Sequence, residues 1–242
     1  MPGRVHFFLP GGIMRRERTV RFMKRIKLRD RVLPNYCKGE EIMNMVTHIV
    51  GGGLAVLALA ACLIKASDIW GYVSGGVYGV SMVAVYAMSA IYHGLRKGTG
   101  KKVMQVLDHC AIYFLIAGTY TPVVLCALRP QYPAIGWGLF VWQWALAALA
   151  VTLTAIDLKK YKVFSMLCYI GMGWSVIFFL PQTYAVLGAG GFGFLLAGGI
   201  AYTIGAVLFG LGSKLRWMHA VFHLFVILGS MLQLVCVLGW VL

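Results

Sequence analysis

A chain of 242 residues that is 60% hydrophobic and only 12% charged is not an ordinary water-soluble domain, in which about a quarter of positions carry charge. Its net charge of +15 comes with a mean hydropathy of +0.81, a combination that argues against nucleic acid as a partner and for the anionic headgroups of a bilayer. Six cysteines contain no C-x-x-C pair and five lie in apolar runs, so they read as small buried hydrophobes, with no support for a disulfide framework or a thiolate zinc site.

Residues 1–40 are basic, contain Pro2, Pro10 and Pro34, and lack the apolar core and cleavage site of a signal peptide. They are expected to form a cytoplasmic arm, in which Arg15 to Arg31 is either a basic interfacial helix or part of a disordered tail. Residues 41–242 then form one transmembrane domain. Seven apolar runs follow, near 42–64, 71–94, 103–127, 134–156, 163–181, 189–211 and 216–240, each close to the roughly 20 residues that span a bilayer core. The predicted fold is therefore all-α, a seven-helix transmembrane bundle. With the N-terminus inside, 20 of the 22 Lys and Arg residues fall on the inner side, leaving only Lys65 and Arg129 outside. Glycines such as Gly171, Gly173, Gly198, Gly199 and Gly205 are expected to let helices approach closely in lipid.

Ionisable groups inside a membrane are expensive and mark functional sites. Ser89 and His93 lie i, i+4 at the inner end of the second run, and His219 and His223 repeat that spacing on the seventh. Asp108 and His109 open the third. At 1.5 Å per residue, Asp108 lies roughly 9 Å inside its membrane edge and His219 and His223 roughly 6 and 12 Å, so the depths overlap. Three imidazoles at matched depth suit a catalytic zinc with a fourth position for water, with Asp108 and Ser89 behind the ligands or holding that water. On the first helix Glu41, Asn44 and His48 share one face. Glu41 is read either as a helix-start acid or as part of the site wall. His48 could bond across helices, orient Asp108 or replace a ligand, and His109, pointing about 100° from Asp108, suits packing against another helix better than ligation. Pro122 should kink the third helix, with Thr119 and Thr121 covering freed carbonyls.

Glu41-x-x-Asn44-x-x-Thr47-His48, Ser89-x-x-x-His93, Asp108-His109 with Tyr113 and Ala117-Gly118-x-Tyr120-Thr121-Pro122, Gly198-Gly199-x-x-Tyr202-Thr203-x-Gly205 and His219-x-x-x-His223 together resemble the bacterial hemolysin III family. That family is related to the progestin and adipoQ receptors and to the alkaline ceramidases. The resemblance runs from about residue 41 to the C-terminus. It implies a multi-pass protein of the bacterial inner membrane with a cytoplasmic N-terminus. It also implies Zn2+ on His93, His219 and His223, with the family's serine and aspartate at Ser89 and Asp108, and by analogy hydrolysis of a lipid amide or ester.

Three functions follow. In the first, a hydrolase, Asp108 accepts the proton of a zinc-activated water and Ser89 helps to stabilise the oxyanion. In the second, the zinc is structural and a bound lipid shifts the helices, making the protein a sensor of membrane state. In the third, a pore-forming cytolysin, a polar stripe should cross the whole bilayer, whereas the polar groups here gather at one end.

Overall fold

The computed structural model describes residues 28–212 and 215–242, and all its regular elements are helical. Among the described residues, six stretches are long and apolar enough to cross a membrane. Most of the expected basic helix over 15–31 lies outside the described residues; its last part, Leu28–Asp30, is a single 3-10 turn.

Helix α1 (Lys38–Lys65) begins two residues after Tyr36, and Glu40 closes its N-terminus by accepting from the Cys37 amide. Helix α2 (Ile69–Gly94) is capped by Asp68, whose carboxylate accepts from the Gly71 amide at 2.7 Å. These two helices pack closely: a Cβ on Gly79 would stand 2.7 Å from the Leu59 Cα, so only glycine allows this approach.

Helix α3 (Thr99–Pro122) continues through π-helical turns, Val123–Leu128, and a short turn, Arg129–Gln131. Pro122 removes the amide that would bond the Gly118 carbonyl, and the wider turns begin at the next residue. The threonine hydroxyls do not cover that carbonyl as expected: Thr119 donates to Leu115 O and Thr121 to Ala117 O. Helix α4 (Pro133–Ile156) returns beside α3, and Asp157 then receives the Lys159 and Lys160 amides.

The fifth and sixth apolar runs meet differently from expectation. Helix α5 (Lys162–Gly173) passes into a 3-10 turn, Ser175–Phe179, and helix resumes as α6 (Leu180–Leu211), which is broken at Gly188 with φ 63°. The predicted loop 182–188 is helical up to that glycine. Pro181 sits in a first turn, where its missing amide costs nothing, and Thr183 satisfies its hydroxyl on Phe179 O. Residues 162–211 would measure about 75 Å as one straight helix. They do not run straight: the Trp174 indole donates to Thr203 Oγ1 at 2.9 Å, across 29 residues whose midpoint falls at Gly188. The two arms therefore fold back side by side.

Helix α7 (Met218–Cys236, then π-helical Val237–Val241) packs on α6 and α1. Its Ser230 is a knot between helices: Tyr86 of α2 donates to its hydroxyl at 2.7 Å, Tyr202 of α6 lies 2.7 Å from the same oxygen, and Tyr78 donates to its carbonyl. Tyr78 and Tyr86 are fully buried, so this register between α2 and α7 is tightly held. Of the glycines expected at helix contacts, Gly198 and Gly205 face Gln233 and Phe222 on α7. A Cβ on Gly171, Gly173 or Gly199 would touch nothing, and the last two line a cavity instead.

Candidate metal centre

The α2–α7 register sets His93 opposite His219 and His223. His219 Nε2 lies 3.3 Å from His93 Nε2 and 3.2 Å from His223 Nε2, and all three side chains are buried. Four ligands at the 2.0–2.1 Å of a zinc–imidazole bond stand about 3.3 Å apart along each tetrahedral edge. The two measured separations match that edge.

Proton bookkeeping supports a cation at the centre. His93 Nδ1 is 2.8 Å from Glu41 Oε2, so its proton goes to the carboxylate and its Nε2 carries a lone pair. His223 Nδ1 lies 3.2 Å from the Asn44 carbonyl and 3.4 Å from Thr47 Oγ1. The Thr47 proton is already given to the carbonyls of Met43 and Asn44, which leaves both neighbours of that nitrogen as acceptors. His223 Nδ1 must donate, and its Nε2 too presents a lone pair. Two lone pairs converging beside a third ring nitrogen repel one another unless a cation or a proton lies between them. Among the described residues these three histidines form the group able to hold a metal ion. The carboxylate behind His93 and the carbonyl behind His223 are the partners that fix metal-binding imidazoles.

Glu41, in the first turn of α1, thus also reaches His93. Its second oxygen takes Lys101 Nζ at 2.7 Å, and that ammonium also donates to the carbonyls of His93 and Leu95. Lys101, which the loop pattern assigns to the inner surface, is buried and closes the end of α2. Asn44 holds His223 through its backbone oxygen. His48 stacks on His223 with centroids 3.7 Å apart and planes 11° from parallel; it is outside the ligand group, and neither ring nitrogen finds a protein partner. Ser89 and Asp108 both line the cavity that reaches His219 and His223. His109 Nδ1 lies 2.8 Å from Gln105 O and 3.5 Å from Asp108 Oδ2, and its ring packs on Phe209.

Two residues of the site escape a reading of the sequence. Glu40 Oε1 accepts from the Trp217 amide at 2.8 Å, pinning the start of α7 at a residue held in the left-handed region with φ 66°. Adjacent acids at a helix start, in a chain with only seven acids, were the available signal. Tyr36, within the stretch assigned to the arm, stacks on His219 at 5.1 Å. Burial and the carboxylates of Asp108, Glu41 and Glu40 raise its phenol above the ordinary value, so it stays neutral as a cover over the site. Nothing in the sequence marks it out.

From the histidines a slot runs into the bundle. Its walls change from His48, Ser89 and Asp108 to Leu115, Val123, Leu128, Leu139 and Phe192, and the α3 wall from Asp108 to Leu128 spans about 30 Å of helix. Its free volume is only about 150 Å³, which makes it narrow. On the other side of His219 is a wider vestibule of about 850 Å³.

Fold and site define the class: an all-helical membrane protein with a buried tri-histidine cluster at one end of the bundle. The family model described as Haemolysin-III related matches residues 36–234, and the chain belongs to that family. It is 42% identical over 206 residues to Hemolysin-3 of Bacillus cereus, covering 84% of this chain and 92% of that protein. It is 36% identical over 202 residues to the Hemolysin-3 homolog of Bacillus subtilis (strain 168), covering 82% and 93%. A human protein, monocyte to macrophage differentiation factor, is 27% identical over 195 residues, covering 77% and 78%. The family match begins at residue 36 and so includes Tyr36.

Proposed function

We propose that this protein is a zinc-dependent hydrolase that cleaves a lipid amide or ester from within a bacterial inner membrane. The observation that carries the reading is the convergence of Nε2 lone pairs from His93 and His223 beside His219, backed by Glu41 and the Asn44 carbonyl. Seven crossings are supported by the reversal at Gly188, which divides a 50-residue apolar stretch into two arms. A cytoplasmic N-terminus and site are supported by the basic residues gathered at the histidine end.

His93, His219 and His223 would hold a zinc ion, which when bound would supply Lewis acidity and lower the pKa of a water at the site. Asp108, on the cavity wall, is the base that takes the proton. Its carboxylate lies 3.5 Å from His109 Nδ1. Once protonated, Asp108 passes the proton to the leaving nitrogen or oxygen as its bond to the carbonyl carbon breaks, and Ser89, on the same cavity wall, hydrogen-bonds the developing oxyanion. The unpaired nitrogens of His48 offer the substrate's polar atoms a further partner. An acyl chain fills the narrow apolar slot, which keeps out bulk water and fixes the scissile bond near the histidines.

Asp108→Asn keeps size and hydrogen bonding but removes the base. The variant should retain its zinc while lipid hydrolysis falls about 10²- to 10⁴-fold, the usual contribution of a general base. Lipid profiling of cells expressing wild type or variant at equal levels, paired with metal analysis of the purified proteins, tests this. Wild-type turnover by the variant sinks the catalytic reading and leaves a zinc-stabilised lipid-sensing pocket. Orientation is checked separately by a cysteine at Thr99, which should resist an impermeant thiol reagent applied to intact cells.

A further inference from the structure

The vestibule beside His219 is chemically unlike the slot. Arg31, Lys159, Lys162 and Arg216 line it, and the lining acids among the described residues are Asp30 and Glu40. Glu40 already accepts from the amides of Cys37 and Trp217, so much of its capacity is used. Two nitrogens of the Arg31 guanidinium, Nε and Nη1, are buried and have no hydrogen-bond partner. A buried charged donor left unpaired is costly, so the Arg31 guanidinium, which lines the vestibule, gains by turning toward an anion there. Arginine's planar donors match the oxygens of a phosphate or carboxylate.

The vestibule and the slot share a wall. His109, Met166, Tyr169, Phe209 and His219 line both, so a molecule at the neck between them lies against a residue of the tri-histidine cluster. One side of that neck is basic and wide, the other apolar and narrow.

The geometry points to an anionic headgroup, a phosphate or carboxylate, bound by Arg31 in the vestibule while the same molecule's single alkyl chain occupies the slot. The substrate class becomes an anionic single-chain amphiphile whose cleavable bond lies between its charged group and its chain. This rests on the proposal that the slot holds a lipid chain. Lys159, Lys162 and Arg216 add a less specific attraction, because exposed cations are screened by salt.

The test is direct binding to purified full-length protein in neutral detergent, followed by tryptophan fluorescence. The probes are a lysophosphatidic acid, the monoacylglycerol with the same chain, and inorganic phosphate. The lysophosphatidic acid should bind at least about tenfold more tightly than the monoacylglycerol, as a charge-assisted hydrogen bond implies. Arg31→Gln should reduce that preference to about twofold, Arg31→Lys should restore part of it, and the unchanged affinity for monoacylglycerol should show that both variants are folded. Equal binding of the two lipids, or a preference that survives Arg31→Gln, overturns the proposal. Inorganic phosphate binding as tightly as the lysophosphatidic acid also overturns it, since the chain would then contribute nothing. The same titration on Asp108→Asn separates the two readings. Charge preference there, with no turnover by wild type, retains the anion site and removes the hydrolase; turnover without charge preference does the reverse.

Discussion

The two ends of the bundle handle charge in opposite ways. At the far end the Arg129 guanidinium carbon lies over the Trp70 ring, 3.9 Å from its centroid, and Arg129 donates to the carbonyl of Leu125, while Trp137 packs edge-on against the same ring. Such a cation is satisfied locally, by a neighbouring aromatic face and its own helix. At the histidine end Glu40, Lys101 and Asp108 are all buried, with Glu41 only partly exposed, and each contacts a different helix from its own. Taking an ion out of water costs several kcal/mol, so a fold bearing this cost at one end only is spending stability on something other than packing. The difference separates ordinary anchoring from a site.

Three variants sharpen that contrast, in descending order of effect. His219→Ala combined with His223→Ala should take bound zinc from about one per chain to essentially none, read by metal analysis of purified protein. Undiminished zinc in that variant would remove the tri-histidine assignment and turn attention to His48. Glu41→Gln should act on metal and stability together. It leaves the Lys101 ammonium buried without its carboxylate and weakens the acceptor behind His93. A loss of about 10- to 100-fold in zinc affinity is expected, with a clear drop in melting temperature. A zinc affinity equal to wild type would reduce the pair to a structural contact. Arg129→Gln, at the other end, should cost only about 0.5–2 kcal/mol and leave zinc content unchanged. If it releases metal, the two ends are coupled and do not handle charge independently.

The sequence was most legible where one helix carries its own signal. His219 and His223 share a face by spacing alone, and Ser89 and His93 do the same, so the depth of each pair could be counted from its membrane edge. The apolar runs likewise located most helices to within a few residues. What could not be read were partnerships between distant residues. Lys101 looks like any other loop lysine until α1 brings Glu41 to it across 60 positions. Glu40 meets Trp217 across 177. The connection expected over 182–188 is too long: the backbone of Gln182, Thr183 and Tyr184 is helical, and the break needs only the positive φ of Gly188 at its end. Composition reports what a segment prefers when alone, and these features depend on what lies beside it.

The pairing of His93 with His219 also bears on how the molecule is made. The two rings are separated by 126 positions, and His223 follows one helical turn later. A chain emerging from the ribosome N-terminus first has α1, with Glu40, Glu41 and Asn44, waiting in the membrane long before its partners exist. Only arrival of α7 gives Glu40 its Trp217 amide and His93 its two companions. The cluster is therefore completed only once α7 is in place, and no precursor that stops short of His223 can hold it.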